Sequence, residues 1–113
     1  EMNNYSAVVR LVYGNTAYLF MGDAETLSED EITADVRADV LKVGHHGSDT
    51  SSGENFILRV SPRVAVISVG EGNSYGHPKD EVIDRLRGSS ATVFRTDKDG
   101  TVVLGSDGKN IIY

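Results

Sequence analysis

Apolar and polar residues alternate from Tyr5 to Val12, with Tyr5, Ala7, Val9 and Leu11 on one face, and the pattern stops at Gly14-Asn15. A second apolar run, Ala17–Met21, follows that turn-forming pair, which predicts a β-hairpin. Ser28-Glu29-Asp30-Glu31 has capping-box spacing and predicts a short acidic helix that ends before Ala38. Val40–Val43 reads as a strand. Ser51-Ser52-Gly53-Glu54 is a second capping box, opening a helix that carries Phe56, Ile57, Leu58 and Val60 and stops near Pro62. Val64–Val69 is another buried strand. Pro78 suits the first turn of a third helix, with Asp80 and Glu81 at its positive end, Val82, Ile83 and Leu86 on its apolar face, and Gly88 at its close. The tail reads as strands at Thr92–Arg95, Thr101–Leu104 and Ile111–Tyr113, with turns at Asp97-Lys98-Asp99-Gly100 and Ser106-Asp107-Gly108.

The order ββ-α-β-α-β-α-βββ predicts an α/β sheet with helices packed on one face. The other face needs a cover, because Val40–Val43 and Val64–Val69 have the pattern of strands buried on both sides. Monomeric proteins rarely leave large apolar patches open. Two solutions follow: a homodimer packed sheet on sheet, or the three C-terminal strands folding back within one chain.

Length and charge narrow the function. With 113 residues, this is a single domain or part of one, and its formal charge is −6. Arg59, Arg63, Arg85, Arg87 and Arg95 are scattered without a basic tract. Proteins that grip nucleic acid by their surface are usually basic, so tight sequence-specific DNA binding by this chain alone is not expected. The absence of cysteine excludes disulfides and thiolate metal ligands. No apolar run approaches the ~20 residues needed to cross a bilayer. Glu1-Met2-Asn3-Asn4 has neither a basic region nor an apolar leader, so no signal peptide is read within these residues.

Gly44-His45-His46-Gly47-Ser48 follows the strand through Val43, and Gly22-Asp23 follows Ala17–Met21. Strand ends are where α/β proteins place chemistry, and a carboxylate with a histidine pair at two such ends suggests a metal site. Asp23 also suits an N-cap for the helix that follows. His45 and His46 point to opposite sides if the strand continues through them, so one faces a metal while the other packs or hydrogen-bonds behind it. His46 stands further out of the strand. Ser48 either caps the loop or hydrogen-bonds a phosphate oxygen. His77, in Tyr75-Gly76-His77-Pro78, is a helix-start residue held by Pro78, or else a metal ligand, proton donor or phosphate contact. Gly70-x-Gly72-x-x-x-Gly76 misses the dinucleotide fingerprint, and Asp97-x-Asp99-Gly100 lacks the distal Glu of a calcium loop.

Several motifs, read in order, carry a resemblance. They are Asn3-Asn4-Tyr5-Ser6 leading into Val8-Val9-Arg10-Leu11, Phe20-Met21-Gly22-Asp23-Ala24-Glu25, Ala38 to Ser48, Ile67-Ser68-Val69-Gly70, Asn73 with Tyr75-Gly76-His77-Pro78, Phe94-Arg95-Thr96-Asp97, and Ser106-Asp107-Gly108. Over nearly its whole length the chain resembles the metallo-β-lactamase-like domain of ComEC-type DNA-uptake proteins. One feature departs from the family: its His-x-(His/Asp)-x-Asp-His cluster, which lies upstream of the first strand, is absent. The chain therefore resembles the C-terminal half of that domain.

The resemblance implies an αββα sandwich completed by the protein's own N-terminal half. It implies that Asp23 bridges two divalent ions, zinc or manganese, and that at least one of His45 and His46 is a ligand. It implies a phosphodiesterase acting on DNA during competence uptake, with His77 and Ser48 at the substrate. The implied setting is an extracellular or periplasmic-facing soluble domain of a bacterial inner-membrane protein, beside that protein's membrane channel. Two rivals stand beside this reading: a stand-alone hydrolase of a small phosphodiester, and a non-catalytic module in which the histidines and Asp23 merely organise loops. A His/Asp cluster encoded before Glu1 marks the enzyme, and its absence marks the module. Asp23 and one histidine supply two or three ligand atoms, fewer than a catalytic centre needs. The isolated chain is accordingly expected to show little or no hydrolase activity; robust metal-dependent DNA cleavage by nuclease-free preparations would refute this.

Overall fold

A computed structural model describes residues 8–23, 26–48, 51–70, 72 and 76–113, with backbone alone at 26–28 and 45. The expected hairpin is present, joining β1 (Val9–Tyr13) to β2 (Thr16–Phe20) antiparallel. Its turn needs a glycine at position 14. Gly14 has φ 58°, and a Cβ there would lie 2.6 Å from the Gly108 carbonyl oxygen. The Tyr5 to Ala7 part of the expected first strand lies outside the described residues.

β3 (Val40–Lys42), β4 (Val64–Ile67) and β5 (Thr92–Arg95) add side by side in chain order, and every step from β2 onward is parallel. The result is a mixed α/β fold with a five-stranded, mostly parallel sheet. Each parallel step needs a crossover, and right-handed crossovers that all advance one way stack their helices on one face. α1 (Thr26–Glu31), α2 (Glu54–Val60) and α3 (Asp80–Gly88) occupy these crossovers. Leu19, Leu41 and Ala65 pair across three strands in a row that continues to Val93. That row packs with Phe56, Ile57 and Val60 of α2 and Val82, Ile83 and Leu86 of α3, which form the core.

The opposite face carries two further rows. One is Val9, Phe20, Lys42, Val66 and Phe94; the other is Leu11, Tyr18, Val40, Val64 and Thr92. Val40 and Val64 are buried, whereas Val9, Leu11 and Phe20 remain 53, 54 and 42% exposed. The tail crosses part of this face. Thr16 and Ser106 share a hydroxyl–hydroxyl hydrogen bond of 2.6 Å, and the Phe94 and Tyr113 rings meet edge to face at 5.4 Å. Folding back within the chain thus occurs in part, and the β1–β2 end of the face stays open.

Five sequence expectations are corrected. Thr101–Leu104 is not a strand. A short helix, α4 (Thr96–Asp99), follows β5 where a turn was expected at Asp97, and the tail pairs β6 (Gly105–Ser106) with β7 (Ile111–Ile112) in a separate two-stranded sheet. The Asp99 carboxylate accepts the Arg95 N–H at 2.7 Å, and Asp97 takes the Arg95 guanidinium at 2.8 and 3.1 Å, which winds this segment tightly. α1 opens at Thr26, before Ser28, and Pro78 stands ahead of the Lys79 N-cap rather than in the first turn of α3. The Ser51 capping box does not form; Gly53 is the N-cap, without a side-chain bond. Instead the buried Glu29 carboxylate, reaching across from α1, accepts the N–H groups of Ser52 at 2.6 Å and Gly53 at 2.9 Å. Burial raises the Glu29 pKa, and those two N–H bonds only partly oppose it.

At the N-terminal edge of the sheet, Asp39 joins three strands. Its buried carboxylate accepts the Ala17 N–H and an Arg63 guanidinium N–H, each at 2.9 Å. Its backbone carbonyl accepts the N–H groups of Arg63 and Val64. Burial disfavours the Asp39 charge, but the Ala17 and Arg63 donors outweigh it and hold the carboxyl below its usual range. A depressed pKa stabilises the fold fully above the unfolded value of 3.8, and this is lost as pH falls through the lower folded value. Asp39→Asn is expected to cost about 2–3 kcal/mol at pH 7, with the difference shrinking towards acid; denaturant melts at pH 7 and below pH 3 check this.

Candidate functional site

The parallel strands β2, β3 and β4 all point their C-terminal ends the same way, and the candidate residues gather there. Asp23 follows the buried Met21 at the end of β2. His45 and His46 lie in a 3-10 turn, Gly44–Gly47, immediately beyond β3. The His45 side chain lies outside the described residues, as do Asn73 and Tyr75. Because a 3-10 turn replaces the strand here, strict alternation no longer sets the two directions.

His46 is held in a left-handed conformation, φ 52°, and its Nδ1 lies 2.7 Å from the carbonyl oxygen of Ser68 at the end of β4. A carbonyl only accepts, so Nδ1 carries the hydrogen in this bond. In the neutral ring Nε2 then bears a lone pair, and it faces the Asp23 carboxylate with Nε2 to Oδ1 at 3.7 Å. Both side chains are about half exposed. Two electron-pair donors aimed at a shared, solvent-reached space suit a cation or a proton. Among the described residues, no group of three or more such donors gathers, so Asp23 and His46 stand as a pair.

The other candidates lie around this pair. Ser48 is buried behind the turn, and its carbonyl accepts from the Ser51 N–H and hydroxyl, each at 3.0 Å. His77, partly buried, is joined by a cis peptide bond to Pro78. Pro78 packs on Gly47, and the Lys79 N–H donates to the Gly47 carbonyl at 3.0 Å. The backbone of 77–79 is thereby strapped to the turn that bears His46. Asp97 and Asp99 are engaged with Arg95 within the short helix α4, away from the Asp23–His46 pair.

Two site features escaped sequence reading. One is the Ser68 carbonyl, a backbone group with no signature. The other is Lys42, whose signal was a lone cation within an apolar strand. Its ammonium donates to the Val43 carbonyl at 3.2 Å. Burial pulls its pKa down, and the nearby Asp23 carboxylate opposes that shift.

Gly47 makes the close approach of Pro78 possible. It has φ 78°, and a Cβ there would sit 2.6 Å from the Pro78 Cβ and 3.1 Å from its Cα. Gly47→Ala is expected to lose about 2 kcal/mol or more, since alanine is both strained and obstructed at this position. Thermal melts would show the loss, and the His46 imidazole resonance would shift with it.

No protein-family model matches the chain. Relatives do. It is 43% identical over 103 residues to ComE operon protein 3 of Bacillus subtilis, covering 88% of this chain and 13% of that protein. It is 39% identical over 107 residues to competence protein ComA of Neisseria gonorrhoeae, covering 91% of this chain and 16% of the relative. It is 38% identical over 101 residues to recombination protein 2 of Haemophilus influenzae, covering 88% and 13% respectively. The chain thus spans about one seventh of the length of these relatives. Across the segment it shares with them, the chain belongs to the ComEC-type competence family.

Proposed function

We propose that the chain is the C-terminal part of a metallo-β-lactamase-type domain that hydrolyses phosphodiester bonds in DNA during competence uptake. One observation carries this reading: His46 donates Nδ1–H to a backbone carbonyl and turns Nε2 towards Asp23. Metal-bound histidines are commonly oriented in this manner, with the second ring nitrogen held by a carbonyl or carboxylate. Zinc holds nitrogen and oxygen donors at about 2.0–2.2 Å, which places two such donors about 3.4 Å apart at a tetrahedral angle. The observed 3.7 Å is close to that, so the pair fits a divalent ion.

In this reading the Asp23 carboxylate and the His46 imidazole would be the donors that hold a divalent ion, zinc or manganese. Ions bound there supply an activated water and positive charge against the phosphodiester. His77, on the strap beside Gly47, contacts a phosphate oxygen or gives a proton to the leaving oxygen. Ser48 supports the turn from behind, and Lys42 adds positive charge near Asp23. The open sheet face accepts the N-terminal half of the domain, which brings the remaining ligands and completes the αββα sandwich. One relative is named a competence protein and another a recombination protein, and the family resemblance supplies DNA as the substrate. With a charge of −6, the chain leaves the grip on DNA to the ions and to the rest of the protein. Among the described residues, no helix is long and apolar enough to cross a membrane. The proposed location is the outer side of a bacterial inner membrane, beside the parent protein's channel.

The test uses the full-length protein and a metal-dependent DNA cleavage assay. Asp23→Ala is expected to abolish activity, by about 10³-fold or more, and to lower bound metal. His77→Ala is expected to retain more activity, since losing one oxygen contact costs about 10²–10³-fold at most. Full activity and metal content in Asp23→Ala would overturn the assignment.

A further inference from the structure

Asp23 and His46 belong to different loops. Asp23 precedes α1, whereas the His46 turn leads through 51–53 into α2. Their separation therefore depends on what fixes one loop against the other, and the contacts converge on residues 51–53. From α1, the wholly buried Glu29 carboxylate accepts the Ser52 N–H at 2.6 Å and the Gly53 N–H at 2.9 Å. From α3, Arg85 donates to the carbonyls of Ser52 at 2.9 Å and Ser51 at 3.4 Å. The Ser51 hydroxyl then reaches the His46 turn itself, at the carbonyls of Gly44 (2.9 Å) and Ser48 (3.0 Å).

We propose that Glu29 is a positioning residue, which from the helix after Asp23 fixes the loop behind His46 and so sets the distance between the two donors. The functional meaning rests on the reading of that pair as metal ligands; the positioning itself does not. Holding α1 to α2 does not require this carboxylate. Arg59 of α2 already joins the far end of α1, donating to the carbonyls of Glu29 at 3.4 Å, Ile32 at 2.7 Å and Ala34 at 3.3 Å. A buried charge is a costly tether where apolar contact would serve, and its worth lies in direction. The clamped segment is also kept in an unfavourable state. Ser52 has φ 53°, and its hydroxyl is buried with no hydrogen-bond partner among the described residues. Such strain persists where surrounding contacts over-determine it.

The contrast between two variants tests this. Glu29→Gln keeps the side-chain length but leaves one acceptor oxygen for two N–H groups. Arg59→Met weakens the same helix pair away from the donors. In the purified full-length protein, Glu29→Gln is expected to move the His46 imidazole nitrogen resonances and to weaken binding of Zn²⁺, added alone, about tenfold. Arg59→Met is expected to lower the thermal midpoint while leaving both readouts unchanged. If Glu29→Gln fails to fold, Ser51→Ala removes a single hydroxyl of the relay and should move the same resonances less. Wild-type resonances in a folded Glu29→Gln or Ser51→Ala protein would overturn the proposal, as would an equal shift in Arg59→Met. Resonances that move in a protein whose wild type binds no Zn²⁺ would uphold the positioning role and refute the metal reading alone.

Discussion

Parallel strands laid down in chain order constrain everything else in this molecule. Parallel crossovers are right-handed as a rule, so when each new strand adds on the same side the helices share one face. The row Leu19, Leu41, Ala65 and Val93 is the seam along which they pack. The same rule aligns the C-terminal ends of β2, β3 and β4. Asp23, His46 and the Ser68 carbonyl, far apart in sequence, thereby meet at one edge. Core and site follow from one topological choice.

The two edges of the sheet are built differently. At the N-terminal edge, the buried Asp39 has a donor on each carboxylate oxygen and backbone bonds to neighbouring strands. Left-handed backbone occurs at both edges: Ser61 and Ser90 adopt it ahead of β4 and β5. At the C-terminal edge, His46, Gly47 and Ser52 all have positive φ, and bonds from other segments hold them there.

Much of the fold was legible because hydrophobic periodicity reports burial directly. The hairpin, the three crossover helices and the strands at Val40, Val64 and Thr92 were all anticipated within a few residues. The failures share a cause. Ser51 and Ser28 matched a capping pattern, but at 51–53 the Glu29 carboxylate reached in from another helix and took the Ser52 and Gly53 N–H groups, a long-range contact that no local window contains. Thr101–Leu104 is a β-branched, apolar run that reads like a strand, yet the Arg95 bonds to Asp97 and Asp99 turn the chain before it. At the site, residue types at strand ends pointed to Asp23 and His46. The carbonyl that orients His46 and the lysine beside Asp23 became visible only with register in hand.

Lys42 gives the uncovered face a polarity of its own. In one row it stands between Phe20 and Val66; in the next row, further from the site, Val40 and Val64 are buried without a charge nearby in register. Any surface that seats here meets hydrocarbon along both rows and, in the row nearer the site, an ammonium set among it. A dry seal suits the first and is forbidden at the second, where the cation needs acceptors or water. The seam between the two halves of such a domain would then open into a hydrated mouth beside Asp23.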